Sequence, residues 1–182
     1  MNGVISSVLF FSWVIDRRER RIIVKGESME QINKLKQRGF EVVSAFEGSG
    51  INIPHRKTSR AAGYDIEAAE NGMIPAGKKA IIPTGLKAYM GADEWLEIHV
   101  RSGHAAKYDL ALQNADGVID ADYYNNPANE GHIMILLRNE GEQPFEFKKG
   151  DCIAQGIFSK YLTADDDNHG GVRNGGLGST DK

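Results

Sequence analysis

The stretch Leu96-Glu97-Ile98-His99-Val100 alternates apolar and polar residues one for one, the two-residue period of a strand with one face on a core and the other in water. Phe145-Glu146-Phe147-Lys148 repeats the pattern, and Ile133-Met134-Ile135-Leu136-Leu137 is apolar without a break, which predicts a strand buried on both faces. Between such runs, Asn71-Gly72, Pro75-Ala76-Gly77, Gly141 and Lys149-Gly150-Asp151 supply the residues that reverse a chain. Strands and turns at this spacing predict an all-β barrel or sandwich over residues 40–163. Upstream, Ser28 and Gln31 have the spacing of a capping box, and Met29, Ile32 and Leu35 recur at helical spacing before Gly39. One short helix is therefore expected within an N-terminal extension, residues 1–39. Downstream, residues 164–182 are rich in aspartate and glycine and lack any packing period, the composition of a flexible C-terminal arm that a ligand would order.

The composition excludes several classes of function. The 182 residues are 41% hydrophobic and 26% charged, the balance of one soluble globular domain. The apolar run over residues 4–15 is shorter than the ~20 residues that span a bilayer. Arg17, Arg18, Arg20 and Arg21 follow that run, whereas a secretory signal places its positive charges first. With 22 basic against 25 acidic residues and a net charge of -3, nothing global draws the chain to nucleic acid. Cys152 is the single cysteine, which rules out an internal disulfide and a multi-cysteine zinc site and fits a reducing, cytoplasmic setting. The 21 glycines exceed the roughly 13 of an average chain this long, a sign of close backbone approaches.

Five short segments carry the candidate chemistry: Ala62-Gly63-Tyr64-Asp65, Arg101-Ser102-Gly103, the run from Asn114 to Tyr123, Gly150-Asp151-Cys152-Ile153-Ala154-Gln155, and Arg173-Asn174-Gly175-Gly176-Leu177-Gly178-Ser179-Thr180. Arg101 and Arg173 offer forked donors for phosphate oxygens, beside hydroxyls and glycine backbone that an anion can approach, and two such sites suggest a polyphosphate. Each alone has an ordinary reading as a surface turn or a flexible tail. In Gly117-Val118-Ile119-Asp120 a carboxylate directly follows an apolar strand end, where it can be held rigidly and act as a general base; an isolated aspartate there would more simply be a turn residue. Tyr123 adds an aromatic ring beside a segment, residues 114–123, expected to form a hairpin able to pair through its backbone, as a nucleoside pocket requires. His99 and His104 lack partner ligands in the sequence and read as ordinary strand and loop histidines.

Taken in order, the five segments resemble the five motifs of the trimeric dUTP pyrophosphatases (dUTPases) over roughly residues 40–180, and the longer loop over residues 124–132 resembles a branch found in Gram-positive bacteria and their phages. The resemblance implies a jelly-roll-like barrel, a homotrimer, and Mg2+-dependent hydrolysis of dUTP to dUMP and pyrophosphate, which limits uracil in DNA and supplies dUMP for thymidylate. It implies that Asp120 activates the attacking water, that Asn114, Gly117 and the surrounding main chain read uracil, and that Tyr123 lies against the deoxyribose. It further implies that Arg101, Ser102, Gly103 and Gln155 hold the inner phosphates, and that Arg173, Gly178, Ser179 and Thr180 close over the γ-phosphate. Mg2+ would be held mainly by the substrate, without direct protein ligands, and Asp65 would act on it through water.

Leu177 stands where the family usually has an aromatic that stacks on uracil, and Asp181 where a glycine commonly follows the Ser-Thr pair, so weaker closure over the substrate is expected. The related dCTP deaminases place a catalytic glutamate on the strand after the third motif, and the strand over residues 133–137 has no carboxylate. A nucleotide-sensing regulator is the non-enzymatic alternative, in which a phage-borne copy would take a protein partner through residues 1–38 or 124–132.

Overall fold

The computed structural model of the chain describes residues 13–16, 21–24, 36–167, 170–171 and 173–176. The helix predicted over residues 28–35 and the site residues Leu177, Gly178, Ser179 and Thr180 lie outside the described residues. The chain divides into two units, residues 1–36 and 37–182. In the first, strands β1 (Trp13–Asp16) and β2 (Arg21–Val24) pair antiparallel, with Trp13 opposite Val24 and Asp16 opposite Arg21.

The second unit is built of short antiparallel strands. A four-stranded sheet has the order β10 (Gly117–Asp120), β8 (Glu94–His99), β13 (Cys152–Lys160), β4 (Tyr64–Glu67). A three-stranded sheet has the order β6 (Lys79–Pro83), β11 (Met134–Asn139), β9 (Leu110–Leu112). Two ribbons complete the unit, β12 (Phe145–Phe147) with β5 (Gly72–Ile74) and β3 (Gly39–Val42) with β7 (Leu86–Tyr89). Every strand from β3 to β13 sends side chains to one core, among them Ile66, Ile74, Ile82, Leu96, Ile135 and Leu137, and β10 joins it through Ile119. Burying each such aliphatic side chain is worth about 1.5–3 kcal/mol, so closing the sheets around a shared interior is the main source of stability. The result is the all-β barrel that the alternation predicts, in the jelly-roll-like form that the resemblance implies.

Along β8 the residues alternate buried and half-buried, Leu96 and Ile98 inward and Glu97 and His99 outward, as read from the sequence. The strand predicted to be buried on both faces is not. In β11, Ile135 and Leu137 are buried while Met134 is 38% exposed and Leu136 half-buried. Over residues 134–137 the strand is apolar on both faces, but only one of them meets the core formed by the described residues.

Two local departures bear on the site. The segment 114–123 is not a hairpin of two mutually paired strands, because β9 bonds to β11 and β10 bonds to β8, so the chain turns a corner from one sheet to another. A helix the alternation did not predict, α1 (Ser102–Tyr108), follows Arg101, so His104 is helical rather than in a loop. Its Ala105-Ala106-Lys107 run favours a helix, and Asp109, left-handed at φ 50°, ends it. Among the described residues no helix is long and apolar enough to cross a membrane.

Candidate functional site

The structure brings the sequence-selected residues together in two groups. The first surrounds a cavity of about 660 Å3 lined by Gly63, Asp65, Arg101, Ser102, Gly103 and Gln155. A bulge in β13 between Cys152 and Ala154 buries Ile153 and Ala154 in succession and then sets Gln155 opposite both Asp65 and His99. The Gln155 side chain lies over Gly63, where a Cβ would stand 2.5 Å from its Oε1. Asp65 is 8% exposed, with Arg101 Nε 3.4 Å from one carboxylate oxygen and Lys57 Nζ 3.6 Å from the other. That second oxygen, Asp65 Oδ2, is buried without a hydrogen-bond partner, as is His104 Nδ1. Burial pushes the His104 imidazole toward its neutral form, with the Arg101 charge acting the same way, and burial raises the Cys152 thiol. Ser102 and Gly103 are exposed on the first turn of α1, and a Cβ at Gly103 would meet nothing within 4 Å.

The second group lines a cavity of about 630 Å3 formed by Met90, Ala92, Asp120, Asp122, Tyr161 and Arg173. Asp120 ends β10 and begins the 3-10 turn Ala121–Tyr123, in extended conformation at φ -75° and ψ 155°. Gly117, at the other end of β10, lets the strand close on β8, because a Cβ there would stand 2.8 Å from that of Ile98. Arg173 donates through Nη2 to Asp120 Oδ2 and through Nε to Asp122 Oδ1 at 2.7 Å, and its guanidinium lies 5.9 Å from the centre of the Tyr123 ring. Gly176 comes against that ring as well, where a Cβ would stand 2.6 Å from Cε2. The described part of the C-terminal arm therefore rests on the third segment of its own chain. Asn114 lies at the corner before β10, where its carbonyl accepts the Asp116 N–H at 2.7 Å, and β10 is the edge strand of its sheet, so its outer edge is not used by a ladder.

The two cavities share no lining residue. One holds a cationic, hydroxyl-bearing surface suited to phosphate oxygens, the other a carboxylate pair and an aromatic ring. Sequence reasoning missed Lys57 and Lys107, which join the first wall. A lysine in a loop carries no pattern that separates it from solvated lysines. His99 stands between carboxylates, its Nε2 3.2 Å from Glu97 and its Nδ1 3.6 Å from Asp116, so a different ring nitrogen faces each.

A profile for the dUTPase family matches residues 49–180. A deoxyuridine 5'-triphosphate nucleotidohydrolase of Lactococcus lactis subsp. lactis is 49% identical over 148 residues, covering 80% of this chain and 99% of that protein. One of Solanum lycopersicum is 41% identical over 133 residues, 70% of this chain and 74% of that protein. Among solved structures, the dUTPase of Streptococcus mutans superposes with a TM-score of 0.66 at 42% identity, covering 70% of this chain and 98% of that one. The dUTPase of Staphylococcus aureus phage phi11 superposes with a TM-score of 0.61 at 20% identity over 71% of this chain and 94% of that one, a likeness of fold. With the family profile matched from before the first motif to the end of the fifth, and 49% identity over 148 aligned residues to a relative covered almost end to end, the chain belongs to the dUTPase family.

Proposed function

We propose that this protein hydrolyses dUTP to dUMP and pyrophosphate, as a homotrimer acting on the Mg2+ complex of the nucleotide. The observation that carries the reading is Asp120, fixed at a strand end beside Tyr123 and already bound by Arg173 of the arm. In this reading Asp120 takes the proton of a water whose oxygen attacks the α-phosphorus, the bond to the bridging oxygen breaks, and pyrophosphate leaves. General-base assistance of this kind is worth about 10²- to 10⁴-fold. The outer edge of β10 and the corner at Asn114 and Gly117 present main-chain groups to uracil, and the Tyr123 ring faces the deoxyribose. Arg101, Ser102, Gly103 and Gln155 hold the inner phosphates, and the arm, residues 164–182, brings Arg173, Gly178, Ser179 and Thr180 over the γ-phosphate and Leu177 toward uracil.

The first cavity fits a magnesium triphosphate. Asp65 presents a buried carboxylate oxygen with no hydrogen-bond partner in a cavity whose other charged residues are Lys57, Arg101 and Lys107, which suits a hydrated cation carried by an anion. Mg2+ would supply charge neutralisation of the phosphates, while Asp65 orients its water shell and Arg101 binds phosphate oxygens.

A trimer is supported by two features of the single chain. The residues that would act on one nucleotide line separate cavities, so a second chain would complete the site. The outer face of the β6, β11, β9 sheet also carries an apolar patch, with Ile81 opposite Leu136 and Pro83 opposite Met134. Ile81 is 53% exposed there, a surface suited to a further copy of the chain.

The test is to incubate the full chain with dUTP, dCTP, dTTP and UTP and Mg2+, following pyrophosphate and ammonia. Pyrophosphate from dUTP, reduced at least about a hundredfold in Asp120→Asn, is the expected result. Ammonia from dCTP would make the protein a deaminase, and no turnover of any nucleotide would leave a binding role.

A further inference from the structure

Tyr123 is held by more than its place in the 3-10 turn. It is 8% exposed, and its hydroxyl donates to the His132 carbonyl at 3.0 Å while accepting from Asn129 Nδ2 at 2.8 Å. The Asn129 amide has one orientation available. Its Oδ1 accepts from Asn126 Nδ2 at 2.8 Å and from the Gly131 N–H at 3.1 Å, which leaves Nδ2 to face the phenol. Asn126, buried, also donates to the Tyr123 carbonyl at 2.8 Å, and its Oδ1 accepts the N–H groups of Ala128 and Asn129. The loop returns at Gly131, whose φ of +81° is unfavourable to any side chain and where a Cβ would stand 2.4 Å from the Tyr123 carbonyl oxygen. On its outer side Lys87 Nζ binds Asn125 Oδ1 at 2.7 Å and Glu130 at 3.2 Å, and Tyr124 donates to Glu41 at 2.6 Å, so the loop is fixed to β7 and β3.

We propose that residues 125–132 form a specificity clamp, in which Asn129, locked by Asn126, fixes the far edge of the Tyr123 ring and so makes it reject a 2′-hydroxyl. The inference rests on the proposed function, in which Tyr123 faces the sugar. Excluding one hydroxyl by contact requires the ring to be placed to within a fraction of an ångström. A tyrosine held only at its backbone can rotate about its side-chain bonds, and the hydroxyl is the point where the longest lever arm is stopped. Asn129 acts through its hydrogen bond to the phenol, which makes it a positioning residue.

The experiment measures kcat/KM for dUTP and UTP, with melting temperatures, in the full chain and in Asn129→Ala, Tyr123→Ala, Tyr123→Phe and the double variant Tyr123→Phe/Asn129→Ala. Asn129 is exposed, so its truncation leaves the barrel folded. The expected result is a rise of about three- to tenfold in the UTP share for Asn129→Ala, the size of one lost hydrogen bond, with no further rise when Asn129→Ala is added to Tyr123→Phe. A general loosening would lower both substrates together and leave the ratio unmoved. An unchanged ratio in Asn129→Ala alongside a raised ratio in Tyr123→Ala would overturn the clamp while leaving the sugar-side role of Tyr123 intact. An unchanged ratio in Tyr123→Ala would remove that role and the clamp with it.

Discussion

Arg173 binds two carboxylates at once, and both belong to the segment that carries the proposed chemistry. Its side chain is 19% exposed, so the guanidinium is largely withdrawn from water, and only a more highly charged partner would draw it away. A nucleoside triphosphate is such a partner. Arg173→Ala is expected to lower kcat/KM for dUTP by about ten- to a hundredfold, the loss of a charge-assisted pair, and Arg173→Lys should not restore it because a lysine lacks the fork. Steady-state kinetics of the two variants decide this. Asp65→Asn keeps the shape of the first cavity and removes its one buried negative group beside Arg101 and Lys57. Its half-saturating Mg2+ concentration should rise several-fold, measured by titrating the metal at fixed dUTP. At this scale Asp120, Arg101 and Arg173 were legible in the sequence because an aspartate after an apolar strand and an arginine beside glycine and hydroxyl residues are local patterns. Asn129 and Lys57 were not, since their meaning comes from groups that only the fold brings to them.

Among the elements, β8 and β12 follow their alternation, whereas α1 and the corner at residues 113–116 escaped the sequence reading. The corner is set by tertiary contacts, because β9 and β10 find partners in different sheets, whereas α1 is a single run of seven residues, too short to show a helical period. Asn139 shows how such joins are held. Fully buried at the end of β11, it donates to the carbonyls of Ile74 at 2.9 Å and Gln143 at 2.8 Å and accepts the Gly141 N–H at 3.0 Å. Asn139→Ala strands all three groups, for a loss of about 3 kcal/mol measurable by urea unfolding. Glu94, nearly buried at the start of β8, accepts from Arg38 Nε at 3.0 Å and from the Gly91 N–H at 3.1 Å. The Arg38 hydrogen bond, with that of Gly91, lowers its carboxyl from 4.5 to about 2. A carboxylate whose folded pKa is depressed stabilises the protein above its unfolded pKa and loses that contribution as pH falls. The loss here runs from about pH 4.5 down to about 2. Arg38→Met should move the acid unfolding midpoint to higher pH and leave stability less dependent on pH across that window, followed by circular dichroism.

At the scale of the whole molecule, the run from Ile133 to Leu137 explains why the sequence predicted a strand buried on both faces when a single chain buries one. Ile135 and Leu137 fill the barrel, while Met134 and Leu136 belong to the outer face with Ile81. An apolar face that the described residues leave partly exposed is accounted for if another copy covers it, and the same assembly would join the two cavities that are separate in one chain. Met134→Glu should therefore sediment as a single chain that keeps its β-sheet spectrum and loses activity. A complementation experiment separates shared sites from mere association. Asp120→Asn chains retain Arg101, and Arg101→Ala chains retain Asp120, so each preparation is inactive alone. If Arg101 and Asp120 serve one nucleotide from different chains, co-refolding an equal mixture gives sites built from the intact half of each, about a quarter of the total for random cyclic trimers. If both residues came from the same chain, no mixture would contain an intact site and activity would stay at the level of the separate variants.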